Sequence, residues 1–332
     1  MPVARTHSIA LVGMEGHPVE IEADIQNGLP GLLLVGLPDT ALREARDRIR
    51  AAIVNSGEQW PQRRITVGLS PASLPKRGSG FDVGIAVAIL GAAGTVPAAA
   101  VDGVAFLGEL GLDGQLRSVR GMLPAAAAAA ASGFRRVAVP SANEAEAALV
   151  PDLRVLSAAT LRGLLGWLRG DYRAGPGDAG VPDDLARLGE ASGPVQLIEG
   201  GVLPVTRRPG GEPVLAPGAG GPGAGGPTGA GPDLADVLGQ PAARRAAEIC
   251  AAGGHHLCLL GPPGAGKTML AERIPTVLPR LDPAAALEVM SIHSVAGVLP
   301  DRSPLLTAPP FCAPHHTASK AAIVGGGSGV IR

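Results

Sequence analysis

The sequence predicts an α/β protein, and three observations carry that prediction. Hydrophobic residues make up 46% of the 332 residues and charged ones 17%, which is enough apolar surface for a sizeable core. Residues 7–168 alternate strand-like and helix-like runs, separated by turn residues. A glycine-rich phosphate-loop pattern, Gly261-Pro262-Pro263-Gly264-Ala265-Gly266-Lys267-Thr268, follows a short apolar run and opens a helical one.

Taken in order, "HSIALVG" from His7, "PVEIEADI" from Pro18 and "GLLLVGL" from Gly31 read as three strands. "PDTALREARDRIRAAIVNSG" then carries helix signals, with Asp39 as N-cap and Gly57 past the last turn. Leu42, Ala45, Ile49, Ala52 and Ile53 fall on one face of that helix. "RITVGLS" from Arg64 is a further strand, and Phe81 to Ala93 a buried helix. "VAFLGELGLDGQLRSV" from Val104 reads as a hairpin whose Asp113-Gly114 suits a type I′ turn. An alanine-rich helix, the strand "RRVAVP" and the helix "ATLRGLLGWLRG" close a first domain, assigned to residues 1–169.

Residues 170–232 are dominated by Gly and Pro, end in "APGAGGPGAGGPTGAGP", and are expected to be a flexible linker. Inside it "GPVQLIEGGVLPV" is either a short hairpin or part of the irregular run. Residues 233–332 form the last block. There "PDLADVLGQPAARRAAEICAAGG" reads as a turn and a helix, "HHLCLLG" as a short buried strand, and "KTMLAERIPTVLP" as the helix after the phosphate loop.

Composition excludes several function classes. The net charge is −1, so no global basic field exists to hold a nucleic-acid backbone. Aromatic residues are 2%, which argues against a platform of stacked rings. Three cysteines, Cys250, Cys258 and Cys312, form no disulfide framework and fit a reducing compartment; the first two read as small buried hydrophobes. No apolar run is long enough for a signal peptide or a membrane span, so the expected location is cytoplasmic. Only three of the 28 basic residues are lysines, which draws attention to Lys76 and Lys267.

The phosphate loop predicts the cofactors ATP and Mg²⁺. Gly261, Pro262, Pro263, Gly264, Ala265 and Gly266 let backbone N–H groups close around phosphates, and the start of the following helix adds its positive end. Lys267 is the catalytic candidate, reaching the β- and γ-phosphates, and Thr268 the metal ligand. Hydrolysis also needs an acid at the end of a later strand. "LEVM" at Leu287–Met290 lacks one, so the sequence predicts nucleotide binding without the recognisable parts for cleavage.

The stretch "DVLGQPAARRAAEICAAGGHHLCLLGPPGAGKTMLAERIPTVLP", followed by "PFCAPHHTASKAAIVGGG", resembles the YifB/ComM family of magnesium-chelatase-like AAA+ ATPases. "GLPGLLLVGLPDTALREARDRIRAAIVNSG" and "ITVGLSPASLPKRGSGFDVGIAVAIL" look like that family's Lon-protease-like domain. The resemblance implies an α+β first domain and a partial P-loop AAA+ α/β module. It implies a hexameric ring of identical chains and ATP-driven DNA branch migration in natural transformation. It also places Val237 and Gly239, in "DVLGQ", beside the adenine. Family members continue past this point with a Walker B strand, sensors and an arginine finger, so the chain is expected to be the N-terminal part of such a protein.

Departures from the family pattern matter. Cys312 stands where "PFRAPHH" has Arg, and Gly68 where "ITVNL" has Asn. With His315 and His316, Cys312 gives a C-x-x-H-H spacing that could hold Zn²⁺, with His293 upstream; a structural role is the preferred reading, since "APHH" belongs to the family motif. In Lon-type proteases the nucleophilic Ser follows a Lys by four. Here Ser79 follows Lys76 by three, and Leu123 holds the place of the partner lysine. The first domain is therefore expected to be an accessory domain without a peptidase dyad. The alternatives are the ATPase subunit of a metal chelatase, or a non-hydrolysing nucleotide-binding interaction fragment.

The linker assignment makes a prediction. Limited proteolysis should cut first within residues 205–232 and release a stable fragment ending near residue 170. A first cut within residues 30–160 would show the boundary to be misplaced.

Overall fold

The structure is a computed structural model that describes residues 3–36, 40–76, 78–170, 195–199, 232–299 and 305–324, with the backbone alone at 40–44 and 195–199. The chain divides into two units, one built on residues 1–202 with 291–303, the other on 203–290 with 304–327.

The first unit is a mixed α/β fold, as its sequence predicts. Its strands are β1 (Ala4–Val12), β2 (Glu15–Gln26), β3 (Gly31–Val35), β4 (Arg64–Ser70), β5 (Val104–Phe106), β6 (Glu109–Leu110), β7 (Leu116–Arg117), β8 (Arg136–Pro140), β9 (Arg154–Ala158) and β10 (Val195–Glu199). The helices are α1 (Thr40–Asn55), α2 (Asp82–Ala92), α3 (Ala98–Val101), α4 (Met122–Ala131), α5 (Glu144–Ala147) and α6 (Leu161–Arg169). Eight strands form one sheet in the order β10-β9-β8-β5-β1-β2-β4-β3, and β6 and β7 pair separately. The β1–β2, β2–β4 and β9–β10 pairs are antiparallel; β3–β4, β1–β5, β5–β8 and β8–β9 are parallel.

Side-chain period fixes the layers. Val19, Ile21, Ala23 and Ile25 alternate along β2 and are all buried, as are Ile65, Val67 and Leu69 on β4. Helix α2 covers this face. Its nine residues from Asp82 to Leu90 are buried all round, as the unbroken apolar run "VGIAVAIL" requires. Gly84 permits the closeness, since a Cβ there would sit 2.8 Å from Ile21 Cδ1, and the Thr6 hydroxyl donates to the Gly84 carbonyl at 2.9 Å. Helix α4 packs against β1 and β2 near Ile9 and Gly16, where a Cβ on Gly16 would meet Ala128 of α4.

Ala45, Ile49, Ala52 and Ile53 of α1 are buried as the helical period requires. Asp39 and the side chain of Leu42 lie outside the described residues. Three expectations are corrected. The hairpin turn is not type I′: Gly114 N donates to Gly111 O at 3.0 Å, and only Gly114 takes a left-handed φ, +82°. Asp113 instead uses its carboxylate to accept from Gln115 N at 3.1 Å, a local turn that needs no positive φ of its own. The run "VAF" does not join that hairpin but enters the large sheet beside β1 and β8. Within the stretch read as linker, "VQLIE" is a strand, β10, whose Val195 pairs with Ala158 and Glu199 with Arg154. Its Val195 and Ile198 suit a strand, β10 lies at the edge of the sheet, and a protected fragment would therefore reach at least Glu199.

The second unit contains a 3₁₀ turn at Leu234–Asp236, α7 (Pro241–Gly253), α8 (Lys267–Ala271), a 3₁₀ turn at Ile274–Val277, the start of α9 (Pro283–Ala296) and α10 (Lys320–Val324). Leu234, Val237, Ala247 and Leu270 form its core, with Ala243, Leu257, Leu259 and Ile274 against it. Two readings change here. "HHLCLLG" has the alternation of a strand, Leu257 and Leu259 half-buried and Cys258 and Leu260 exposed, but no ladder partner among the described residues, so it runs as an unpaired extended segment. The helix after the loop stops at Ala271, because Pro275 lacks an N–H and its ring disfavours the preceding helical turn.

One buried ion pair ties the first unit together. Asp82, at the start of α2, has no exposed side-chain surface. It accepts from Arg48 Nε at 2.7 Å, Arg48 Nη2 at 3.2 Å and Leu110 N at 3.2 Å, joining α1, α2 and β6. Desolvation raises its pKa to about 6, against the lowering influence of Arg48 and the Leu110 amide. An ordinary Asp in an unfolded chain titrates near ~3.9. The raised value means that proton uptake stabilises the fold; that contribution is complete below the unfolded pKa and is lost as pH rises through about 6.

Arg48→Ala should therefore destabilise the first unit at pH 7 by about 3 kcal/mol, the usual cost of stranding a buried charge. The loss should shrink at pH 5, where Asp82 takes a proton. Trp60 and Trp167, the two tryptophans, both lie in this unit, so urea titration followed by tryptophan fluorescence reads it alone. An equal loss at both pH values would contradict the assignment.

Candidate functional site

The phosphate loop is built from backbone first. Gly264 and Gly266 take φ of +80° and +78°, conformations that side-chain-bearing residues rarely adopt. These turns fold the loop back so that Lys267, opening α8, faces its own beginning. Lys267 Nζ donates to the carbonyls of Gly261 at 2.9 Å and Pro262 at 2.8 Å. Ala265 N closes the turn to Pro262 O at 3.3 Å. Thr268 follows on the first turn of α8, exposed, and Pro263 is exposed at the loop's crest. All eight loop residues singled out in the sequence are thus brought together.

A triphosphate fits this arrangement. The ammonium already rests on two neutral carbonyls, and phosphate oxygens would be stronger, charge-assisted acceptors for the same donor. The loop glycines leave room, since a Cβ on Gly264 would meet nothing within 4 Å. Helix α8 has only five residues, so the loop amides and Lys267 outweigh any helix dipole. Thr268 is the residue here that could hold Mg²⁺.

Val237 and Gly239 stand differently. Val237 is 1% exposed and packs in the core with Leu270 of α8, so its side chain is a packing residue. Gly239 and Gln240 take φ of +76° and +50°, which turns the chain sharply into α7. Between them, Leu238 is 88% exposed. Sequence reasoning passed over Leu238, and it passed over the residues that hold this segment. Arg273 Nε lies 3.8 Å from Asp236 Oδ2, and Thr276 Oγ1 accepts from Leu234 N at 3.3 Å. Both partners lie beyond α8, about forty positions along the chain, and nothing in the sequence pairs them.

The remaining candidates separate. Lys76 is buried and donates to the Pro71 carbonyl, and its burial lowers its pKa. Ser79 donates to Glu109 instead. Leu123, in the place of the partner lysine, is buried on α4. Cys312, His315 and His316 are exposed; the two imidazole rings lie 4.1 Å apart, and His315 Nδ1 meets Thr317 Oγ1 at 2.7 Å. Cys250 is half-buried as expected of a small hydrophobe, but Cys258 is exposed, because it points away from the core along the extended run.

Comparison with known proteins agrees with both blocks of motifs. The family described as "Subunit ChlI of Mg-chelatase" matches residues 21–143, and that described as "Magnesium chelatase, subunit ChlI" matches residues 233–332. The chain is 46% identical over 332 residues to an uncharacterized protein of Mycobacterium tuberculosis, covering 100% of this chain and 58% of that one. It is 38% identical over 331 residues to the uncharacterized protein YifB of Escherichia coli, covering 99% and 56%. It is 37% identical over 329 residues to the competence protein ComM of Haemophilus influenzae, covering 99% and 57%. The chain thus spans somewhat more than half the length of these relatives. Among the described residues no helix is long and apolar enough to cross a membrane.

The loop geometry predicts that Gly266→Val lowers nucleotide affinity without unfolding the second unit. A branched side chain at φ +78° forces the turn open, and the unit's core does not include this residue. Circular dichroism unchanged and calorimetric affinity reduced is the expected result; unchanged affinity would show that the turn is not needed.

Proposed function

Because the chain belongs to the magnesium-chelatase-like AAA+ family that includes YifB and ComM, we propose that it binds MgATP at Gly261–Thr268 and forms the nucleotide-binding part of a ring-shaped, DNA-remodelling motor. The observation that carries the first part is the Lys267 ammonium, held at 2.9 and 2.8 Å by carbonyls of its own loop. Lys267 would exchange those carbonyls for β- and γ-phosphate oxygens, the loop amides would take the remaining charge, and Thr268 would hold Mg²⁺. Bound ATP supplies the phosphoanhydride whose cleavage drives motors of this class.

The DNA part is supported by the similarity to a competence protein and by the sequence resemblance. With a net charge of −1, any DNA contact would rest on a local basic patch or on groups gathered around a ring. Assembly into a hexamer and a cytoplasmic location belong to the same proposal. So does the reading of the first unit as a Lon-protease-like accessory domain, supported by the separate partners of Lys76 and Ser79.

Titration with a fluorescent ATP analogue tests the binding claim. Lys267→Ala removes a charge-assisted bond worth about 1.5–3 kcal/mol, so affinity should fall roughly 10- to 150-fold. Equal affinity of variant and parent would overturn it.

Turnover by the 332-residue chain should differ from binding. After Thr268 the described regular elements are helices and a 3₁₀ turn, and Glu288 lies exposed on α9 rather than at a strand end. A phosphate loop holds the ground state, whereas rate needs groups acting on the transition state. Phosphate release, with and without branched DNA, should not exceed that of the Lys267→Ala control. Lys267-dependent turnover would show that an acid elsewhere, such as Glu288 or Asp301, completes the site.

A further inference from the structure

We propose that the sheet of the first unit carries a groove on its open face that receives helix α1 of a second copy of this chain. The proposal rests on the ring-shaped assembly read above and names one of its contacts. Pairing register brings the groove together. Leu33 of β3 pairs with Thr66 of β4, and Thr66 with Asp24 of β2; Val35 pairs with Gly68, and Gly68 with Glu22. Paired residues point to the same side of a sheet, so these side chains share one face. The residues between them, Ile21, Ala23, Val67 and Leu34, turn to the core on the other side. Leu33 and Val35 are 48% and 49% exposed and form one wall. Glu20, Glu22 and Asp24 on β2 form the other. Gly68 is the floor, and a Cβ there would meet nothing within 4 Å. Helix α4 packs on this face further along, at Gly16. β3 is also the outermost strand, and "GLLLV" has no charge or proline to blunt its edge. Native sheets often cover such an edge with a helix or loop.

Spacing and charge select the occupant. β2 and β3 stand two strand spacings apart, about 10 Å, close to the diameter of a helix. Along β2 the carboxylates recur about every 7 Å. On α1 the exposed Arg46 and Arg50 recur about every 6 Å, and the exposed Val54 follows one turn on. Neither arginine has an ion-pair partner among the described residues. Laid along the groove, α1 sets both against the carboxylate wall and brings Val54 to the apolar one. Arg5 already pairs with Glu22 at 2.8 Å and His7 lies 3.7 Å from Glu20, which leaves Asp24 without a cation among the described residues. Asp47 is exposed on α1 as well, and it lowers the helix's charge without cancelling two arginines. Ala45, Ile49, Ala52 and Ile53 of α1 share the core with Ile21 and Val67, so helix and groove lie on opposite sides of one sheet. They cannot meet within one chain. Between copies the contact is head to tail, the kind that closes rings.

Sedimentation velocity of the 332-residue chain with MgATP tests this by charge exchange. Glu20→Lys with Asp24→Lys reverses the groove, and Arg46→Glu with Arg50→Glu reverses the helix. Each double variant should weaken self-association roughly tenfold or more. A mixture of the two should restore it, because each offers the other the opposite charge, a recovery that merely destabilised variants could not give. Gly68→Leu fills the floor with a side chain for which the free unit has room. It should keep the parent's urea midpoint by tryptophan fluorescence and lose self-association as the reversals do. Association unchanged in the reversals or in Gly68→Leu, or no recovery on mixing, would overturn the inference, as would a parent that stays monomeric at high concentration. The ring reading fails differently: open chains of unlimited length, restored by mixing, would keep the α1 contact and overturn closure. A closed ring indifferent to the reversals would keep the ring and overturn the contact.

Discussion

A protonated amine cannot be left without oxygen partners, and in the loop from Gly261 to Lys267 it finds them in the loop's own carbonyls. That constraint organises the second unit. The chain must reverse direction within a few residues for Lys267 to reach Gly261, so two positions must be left-handed, and both are glycine. The helix that follows then starts at a set angle, which places Leu270 into the core with Val237. The carbonyls keep the ammonium oriented; under the proposed function, phosphate oxygens would take their place as stronger, charge-assisted acceptors.

The first unit meets a different constraint. Asp82 brings a carboxylate into a helix whose next eight residues are buried and apolar. Its cost is offset only in part by Arg48 and the Leu110 amide, which is why its pKa is raised despite an adjacent cation. In return, one residue fixes α1, α2 and β6 relative to each other. Lys76 is likewise buried, and it donates to the Pro71 carbonyl. Ser79, between Lys76 and Asp82 in the chain, donates to Glu109.

Elements set by local chemistry were legible in the sequence. The alternation along β2 and β4 and the unbroken apolar run of α2 follow from period. The phosphate loop was legible because its chemistry needs a fixed spacing of small residues and one lysine. What depends on partners distant in the chain was not legible. "HHLCLLG" has strand alternation, but a strand exists only beside another strand. "VQLIE" lies in a Gly/Pro-rich stretch and becomes β10 through pairing with β9. Arg48 with Asp82, and Arg273 with Asp236, are pairs that no spacing rule connects.

The chain's three lysines permit a direct measurement of the central claim, that the Lys267 ammonium is the phosphate grip. Lys76 is buried, Lys267 half-buried and Lys320 exposed. Labelling with an amine-reactive reagent, read by mass spectrometry, can follow each separately. Saturating MgATP should protect Lys267 while Lys320 labels as before and Lys76 stays unlabelled throughout, and AMP should protect Lys267 far less. Equal labelling of Lys267 with and without MgATP would contradict the account.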